Sequence, residues 1–340
     1  MPESARPGGI AGGLIIGDSC VKEPVIVYPD APEQFEATLE EGQRARLRAI
    51  GKFSFFEGPT NDVEEFLGRV ADAHAIILGW GLPVDVIERA SHLELISFTG
   101  IGVGNFVDLD LARARNITVT NTPGYADVTV AEHTLGLMLD LARNVSRLDR
   151  DTRAGGWSKA LPGVTLRGLT LGLVGFGGIA QQVARFGRAL GMNVLVWTRR
   201  PELYRADTGD VEFVALEALL EDSDVVSVHV AHTPDTEQLL DADRLARLKP
   251  EAMLVNTARG EIIDETALVN LLRARRIRGA ALDVFTQEPL AADHPFLGLD
   301  NVVLTPHTAY NTPEASANIL DIAIDNVHAY FAGEPRNVVT

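Results

Sequence analysis

From Pro24 onward, short apolar runs alternate with longer amphipathic segments, the pattern of βα units that build parallel sheets. VIVY (25–28) predicts a strand and FEATLEEGQRARLRAI (35–50) a helix. AHAIILGWG (73–81) reads as a buried strand ending in glycines, followed by a helix over VDVIERA (84–90). LELISFTG (93–100) and ITVTN (117–121) are further strands around the helical LDLARAR (109–115). In VAEHTLGLMLDLARNVSR (130–147), Leu135, Met138, Leu139, Ala142 and Val145 recur at helical spacing, so one face of a long helix is expected to be buried.

Beyond a loop with Gly155, Gly156 and Pro162 a second series begins. Its strands are LTLGLVG (169–175), MNVLVW (192–197), VVSVHV (225–230), AMLVNT (252–257), GAALDVF (279–285) and NVVLT (301–305). Apolar strands with intervening helices describe a doubly wound parallel sheet, an α/β fold. A last helix is expected over ASANILDIAIDNVHAYF (315–331).

Composition narrows the function. The 340 residues suit two domains of ordinary size, and 46% hydrophobic residues supply ample buried sheet. Thirty Lys and Arg against 47 Asp and Glu give a formal charge of −17, which disfavours nucleic acid and anionic membrane surfaces as partners. Cys20 is the single cysteine, fitting a reducing cytoplasm, and no apolar run approaches the roughly 20 residues that cross a bilayer. The stretch GGIAGGLIIG (8–17) lacks a basic leading segment and is diluted by five glycines, so residues 1–24 read as a flexible leader rather than a signal peptide.

The clearest chemical signal is LGLVGFGGIA (171–180), a buried strand entering a tight turn and then a helix. Gly175 permits the turn, Gly177 lets the backbone approach a pyrophosphate, and Ala180 keeps the helix close to the strand. The N–H groups of Gly178 and Ile179 then face the anion. About 20 residues further on, where an acidic residue would bind the NAD ribose, stand Thr198, Arg199 and Arg200. Guanidinium groups suit a 2′-phosphate, so NADP is expected ahead of NAD. The competing reading has both arginines solvated or paired with Glu202.

Three polar residues close three strands of the second sheet: Arg259, Glu288 and His307. In a parallel sheet all carboxyl ends share one edge, the edge of the glycine turn. Arg259 offers a planar fork to a carboxylate, His307 can deliver a proton to a neighbouring carbonyl oxygen, and Glu288 can orient the imidazole. Each has a structural reading when taken alone, as a cap, a solvated carboxylate or a satisfied histidine; beside a dinucleotide turn the set reads as a site. His229 and His232 read as loop structure, and Glu132 and His133 as packing or capping. No metal-ligand cluster and no serine nucleophile elbow is expected.

These residues make the chain resemble the D-isomer-specific 2-hydroxyacid dehydrogenases over roughly residues 25 to 335. The resemblance rests on NTPGYADVTVAEHTLGLMLDLAR (121–143), LGLVGFGGIA, VNTARGEIIDETAL (255–268), GAALDVFTQEPL (279–290) and LTPHTA (304–309). It implies a Rossmann domain (123–308) inserted into a flavodoxin-like substrate domain (25–122 and 309–340). Arg259, Glu288 and His307 fall on the family's catalytic arginine, glutamate and histidine. Gly178, Ile179, Thr257, Ala258 and Asp283 fall on cofactor-contacting positions. The glycine loop FTGIGVGNFVD (98–108) matches the element that binds the substrate carboxylate, with Gly102, Val103 and Asn105 as the substrate-binding positions; Val103 displaces the common glycine. Helix 130–147 is similar to the family's dimer element, so a homodimer is implied.

Trp80, Gly81 and Leu82 stand where phosphoglycerate dehydrogenases carry basic residues, and no further domain is expected after the last helix. A phosphate in an apolar pocket is costly, so a small unphosphorylated 2-keto acid is the expected substrate. It would be reduced to the D-2-hydroxy acid by hydride from nicotinamide C4 and a proton from His307. Glu288 in place of glutamine argues against formate oxidation. The alternatives are a phosphoglycerate dehydrogenase-like enzyme and a nucleotide-sensing interaction protein of the same fold, such as the family's corepressors; an amino-acid dehydrogenase would lack this Arg–Glu–His order.

Overall fold

In a computed structural model of the chain, residues 23–204 and 211–340 are described. The expected leader lies outside them except for its last two residues. The first sheet contains β1 (Val25–Ala31), β2 (Lys52–Glu57), β3 (Ala75–Leu78), β4 (Leu95–Phe98) and β5 (Thr118–Thr120), ordered β2-β1-β3-β4-β5 with every pairing parallel. That is the strand order of flavodoxin-like sheets. Its connecting helices are α1 (Phe35–Thr38), α2 (Glu41–Ile50), α3 (Val63–Val70), α4 (Val84–Arg89) and α5 (Leu109–Ala114). β3 and β4 are buried along their whole length, which is why they read as continuous apolar runs.

Two helices, α6 (Asp127–Arg143) and α7 (Val145–Arg153), lead to the second sheet. This contains β6 (Thr170–Val174), β7 (Asn193–Trp197), β8 (Glu212–Phe213), β9 (Val225–Val228), β10 (Met253–Asn256), β11 (Gly279–Leu282) and β12 (Val302–Leu304). The order is β12-β11-β10-β9-β6-β7-β8, all parallel, with α8 (Gly178–Ala189), α9 (Leu216–Asp222), α10 (Ala242–Leu245) and α11 (Glu265–Arg273) between strands. Strand order reverses about β6, so a crevice opens at the carboxyl ends of β6 and β9. Neighbouring β10 residues serve opposite faces: Leu254 packs with Leu220 and Leu272, while Met253 and Val255 pack with Met138 and Val183.

The final helix, α12 (Pro313–Phe331), follows β12 yet packs on the first sheet. Leu320, Ala323, Ile324 and Val327 join Ile26, Ile77 and Leu95 in one apolar cluster. Arg46 on α2 bonds Asp321 at 2.6 Å and also pairs with Asp325. The terminal segment then lies along β5, with Asn121 N–H donating to Asn337 O at 3.1 Å.

Several expectations are corrected. The helix expected over 35–50 is broken at Leu39, whose ψ of 111 is extended, and restarts through a capping box between Glu40 and Gln43. The helix expected over 130–147 starts at Asp127 and ends at Asn144, which is left-handed at φ 55; Asp140 then accepts from Ser146 N–H and Oγ at 2.8 and 2.6 Å. The pattern also left β2, α3 and β8 unassigned. β2 is an edge strand with a mostly exposed, alternating pattern, and β8 has two residues.

Candidate active site

Gly175 lies just beyond β6 with φ +103. A Cβ there would come within 2.5 Å of the His229 carbonyl oxygen beyond β9, so both the turn and the close approach require glycine. The next helix begins differently from others in the molecule. Helices α3, α5 and α11 start with Asp62, Asp108 and Asp264, whose carboxylates accept first-turn N–H groups. Helix α8 starts with Gly177 and has no side-chain cap; among the described residues, the N–H groups of Gly178 and Ile179 have no acceptor. A Cβ at Gly177 would meet nothing within 4 Å. Free donors, a helix N-terminus and open space above the turn fit a dinucleotide pyrophosphate.

At the end of β7, Arg199 is held by Asp235 at 2.8 Å, so its partner is Asp235 rather than Glu202. The Arg200 N–H reaches Thr198 Oγ1 at 3.5 Å, and its exposed guanidinium has no ion pair among the described residues. His229 is half-buried and bonded to Ser227 Oγ at 2.8 Å; desolvation pushes its pKa down to about 3, so it is a neutral structural histidine.

On the same sheet edge, His307 Nδ1 lies 2.7 Å from Glu288 Oε2. The other carboxylate oxygen, Oε1, accepts the Phe285 N–H at 3.0 Å, which fixes the carboxylate plane. Among the described residues His307 Nε2 has no partner, so it is the nitrogen available to a ligand. The His307 backbone is left-handed at φ 52, with its N–H on the Asp283 carbonyl at 2.7 Å. Asp283 is fully buried, and its carboxylate accepts from Thr305 Oγ1 (2.6 Å), Thr308 N–H (2.9 Å) and Ala309 N–H (3.0 Å). This position, expected to contact cofactor, thus ties down the His307 loop. His133 joins the network through Thr305 Oγ1 at 3.1 Å.

Arg259 follows β10. Its Nη1 donates to the Ala258 carbonyl at 2.7 Å, and the buried Asn256 bridges the turn by donating to Arg259 O (2.8 Å) and accepting from Ala258 N–H (2.9 Å). Thr257 Oγ1 lies 2.9 Å from Thr134 Oγ1 on α6. The glycine loop beyond β4 comes up against the same arginine: a Cβ on Gly102 would lie 3.3 Å from Arg259 Nη2 and 3.9 Å from Asn105 Nδ2. Val103 is buried and its N–H already contacts Ile101 O at 3.1 Å; the Gly102 N–H has no acceptor among the described residues. Of the three loop positions, Gly102 therefore faces Arg259, Asn105 lies beside Gly102, and Val103 anchors the loop.

Sequence reasoning missed three neighbours. Tyr125 interacts electrostatically with Tyr310 and Arg259, and burial pushes its phenol up to about 12, so it stays neutral. Asn256 frames the arginine turn, and Asp127 stands at the glycine turn. All three sit inside quoted motifs, but only tertiary proximity distinguishes them; an amide three residues before a strand-end arginine was the one local signal.

The family described as D-isomer specific 2-hydroxyacid dehydrogenase, NAD binding domain, matches residues 135–309. The chain is 40% identical over 328 residues to a glyoxylate reductase of Korarchaeum cryptofilum, covering 94% of this chain and 96% of that one. It is 39% identical over 280 residues to a D-3-phosphoglycerate dehydrogenase of Archaeoglobus fulgidus, covering 81% of this chain and 53% of that protein; it thus spans about half that relative's length. Among solved structures, the NADPH-dependent glyoxylate/hydroxypyruvate reductase of Sinorhizobium meliloti in complex with citrate aligns with a TM-score of 0.81 at 31% identity, covering 94% and 98% of the two chains. The chain belongs to the D-isomer specific 2-hydroxyacid dehydrogenases, oxidoreductases with a nicotinamide-binding Rossmann domain.

Proposed function

We propose that this chain reduces small, unphosphorylated 2-keto acids to D-2-hydroxy acids with NAD(P)H, and catalyses the reverse oxidation. The observation that carries this reading is the His307–Glu288 pair at 2.7 Å, which leaves Nε2 free on the edge that also holds Arg259 and the glycine turn. When bound, the cofactor supplies or takes up a hydride at nicotinamide C4. Arg259 and the Gly102 N–H hold the substrate carboxylate, and the guanidinium polarises the keto oxygen. His307, protonated and oriented by Glu288, gives its Nε2 proton to that oxygen as the carbon gains hydride; in the reverse direction it removes the hydroxyl proton. Glu288 stabilises the imidazolium and keeps Nδ1 occupied, so the proton leaves from one defined nitrogen.

The glycine turn (Gly175, Gly177, Gly178, Ile179) takes the pyrophosphate in this reading, and Thr257, Ala258 and the Asp283-pinned loop border the nicotinamide. Thr198 and Arg200 face the adenosine ribose with Arg199, favouring NADPH over NADH. Trp80, Gly81 and Leu82 beyond β3 present an exposed indole and no cation, which weighs against a phosphorylated substrate. The likeness to phosphoglycerate dehydrogenases keeps 3-phosphohydroxypyruvate as the second reading. We further propose the division into residues 25–122 with 309–340 and 123–308, a cytoplasmic location, and a homodimer through the α6–α7 region, where Leu139, Val145 and Trp157 are exposed. Among the described residues, no helix is long and apolar enough to cross a membrane.

The test is cofactor oxidation with NADPH and NADH in parallel, on glyoxylate, hydroxypyruvate and 3-phosphohydroxypyruvate, in wild type and Arg200→Ala. Turnover of the first two with NADPH is expected, together with a rise in KM for NADPH in the variant that NADH does not show. A preference for the phosphorylated acid would select the second reading, and no turnover on any acid would refute the reductase.

A further inference from the structure

Asp127, the first residue of α6, is half-buried against the glycine turn. A Cβ built on Gly178 would overlap its Oδ2 and lie 2.5 Å from its Cγ, so the carboxyl group rests on the opening of α8. A Cβ on Gly124 would lie 3.9 Å from the same oxygen. This carboxyl group therefore lies against the first residue of α8, beside the turn that a pyrophosphate needs.

We propose that Asp127 is a proton-linked gate on dinucleotide binding: its carboxyl stands where the pyrophosphate meets α8, and the complex forms with that carboxyl protonated and donating to a phosphate oxygen. The inference rests on the cofactor placement proposed above. An ionised carboxylate beside a pyrophosphate sets like charges within a few ångströms in a partly desolvated site, whereas the neutral acid turns the repulsion into a hydrogen bond. Burial already raises the Asp127 pKa from its ordinary value before any ligand arrives.

No nearby cation relieves the charge. The first turn of α8 carries Ile179, Ala180, Gln181 and Gln182 after Gly178, and the arginines of that helix, Arg185 and Arg188, lie further along it. On α6 itself His133 is bonded to Thr305, Asp140 to Ser146, and Glu132 and Arg143 lie further along. From the strand-end loops, Glu288 and His307 are bonded to each other and Asp283 to its own loop. Arg259 and Tyr310 interact electrostatically with Tyr125. Among the described residues, none of these makes a hydrogen bond or ion pair with Asp127.

The sign follows from linkage. The carboxyl pKa is higher in the complex than in the free protein, so binding takes up a proton between the two values. Affinity is greatest below the free-protein pKa and weakens as pH rises through the window, at the limit about tenfold per pH unit. The experiment measures Kd for NADPH, and for NADH, which lacks a titrating 2′-phosphate, by nucleotide fluorescence between pH 5 and 9. Wild type, Asp127→Asn and Gly177→Val are compared. Calorimetry of the wild type in buffers of different ionisation enthalpy counts protons taken up.

Wild type should bind more weakly with rising pH and take up as much as one proton. Asp127→Asn should bind at least about tenfold more tightly at the alkaline end, with a flatter profile, as for removal of roughly 1.4 kcal/mol of repulsion. Gly177→Val, whose side chain finds open space in the protein, should stay folded and lose binding. Loss in Gly177→Val with no proton uptake and an unchanged Asp127→Asn profile would overturn the gate and leave the site standing. Retention of wild-type affinity in Gly177→Val would instead overturn the cofactor placement itself. Should Asp127→Asn fail to fold, proton uptake by the wild type alone decides the gate.

Discussion

At the carboxyl end of β1, Asp30 accepts the N–H groups of Gly79 (2.9 Å) and Trp80 (2.7 Å), tying down the exit of the neighbouring β3. At the carboxyl end of β11, Asp283 accepts those of Thr308 (2.9 Å) and Ala309 (3.0 Å) beyond the neighbouring β12. Both carboxylates are buried, and both convert a strand exit into a fixed platform. What differs is the side chain carried by each platform. The first platform carries the indole of Trp80, 54% exposed; the second carries an imidazole already paired with a carboxylate. In the proposed function the Trp80 platform would shape the substrate pocket while the His307 platform would move the proton, although the device beneath them is the same.

Substitutions in the two sheets should separate these duties. The largest effect is expected for His307→Ala: a loss of roughly 10²–10⁴-fold in kcat, with NADPH binding retained in a fluorescence titration. Trp80→Ala should act on KM for the keto acid and change kcat by less than about tenfold. An equal loss of kcat in both variants would erase the division.

Next are the two anchors. Asp30→Ala and Asp283→Ala each leave two or more partly buried donors unpaired, at up to about 1–3 kcal/mol for each donor, so both should lower Tm. Only Asp283→Ala should also depress kcat at temperatures where the variant is folded, because only its platform carries His307. If Asp30→Ala depressed kcat equally, the two platforms would not have separate roles.

At neutral pH the smallest effect concerns His229, beneath the glycine turn. Its folded pKa of about 3 lies below the unfolded value near 6.5, so its neutral form is the one the fold accommodates. Stability from this group is complete above about pH 6.5 and is lost as pH falls towards 3, by about 1.4 kcal/mol per unit. Urea midpoints at falling pH should drop faster for wild type than for His229→Gln, and parallel curves would contradict this.

What the sequence disclosed reflects where the information is local. β3, β4 and β9–β11 are buried end to end, so their apolar runs announced themselves to within a few residues. The glycine turn was legible because strand, spacing and helix coincide, and the Arg–Glu–His set because parallel strands share a carboxyl edge. Broken helices were not: Leu39 and Asn144 interrupt patterns whose apolar periodicity continues across the break. β2 escaped notice because an edge strand with an exposed face carries little apolar signal. Asp127, Tyr125 and Asn256 owe their significance to residues at other sites in the chain, which no window along the sequence samples.

The central claim is spatial, and a ternary structure with NADPH and the keto-acid analogue oxamate tests it most directly. The account predicts the nicotinamide over the edge between β6 and β9, the analogue's carboxylate on Arg259 and the Gly102 N–H, and its amide oxygen within about 3.2 Å of His307 Nε2. An analogue bound away from His307, or a dinucleotide whose pyrophosphate does not touch α8, would contradict it.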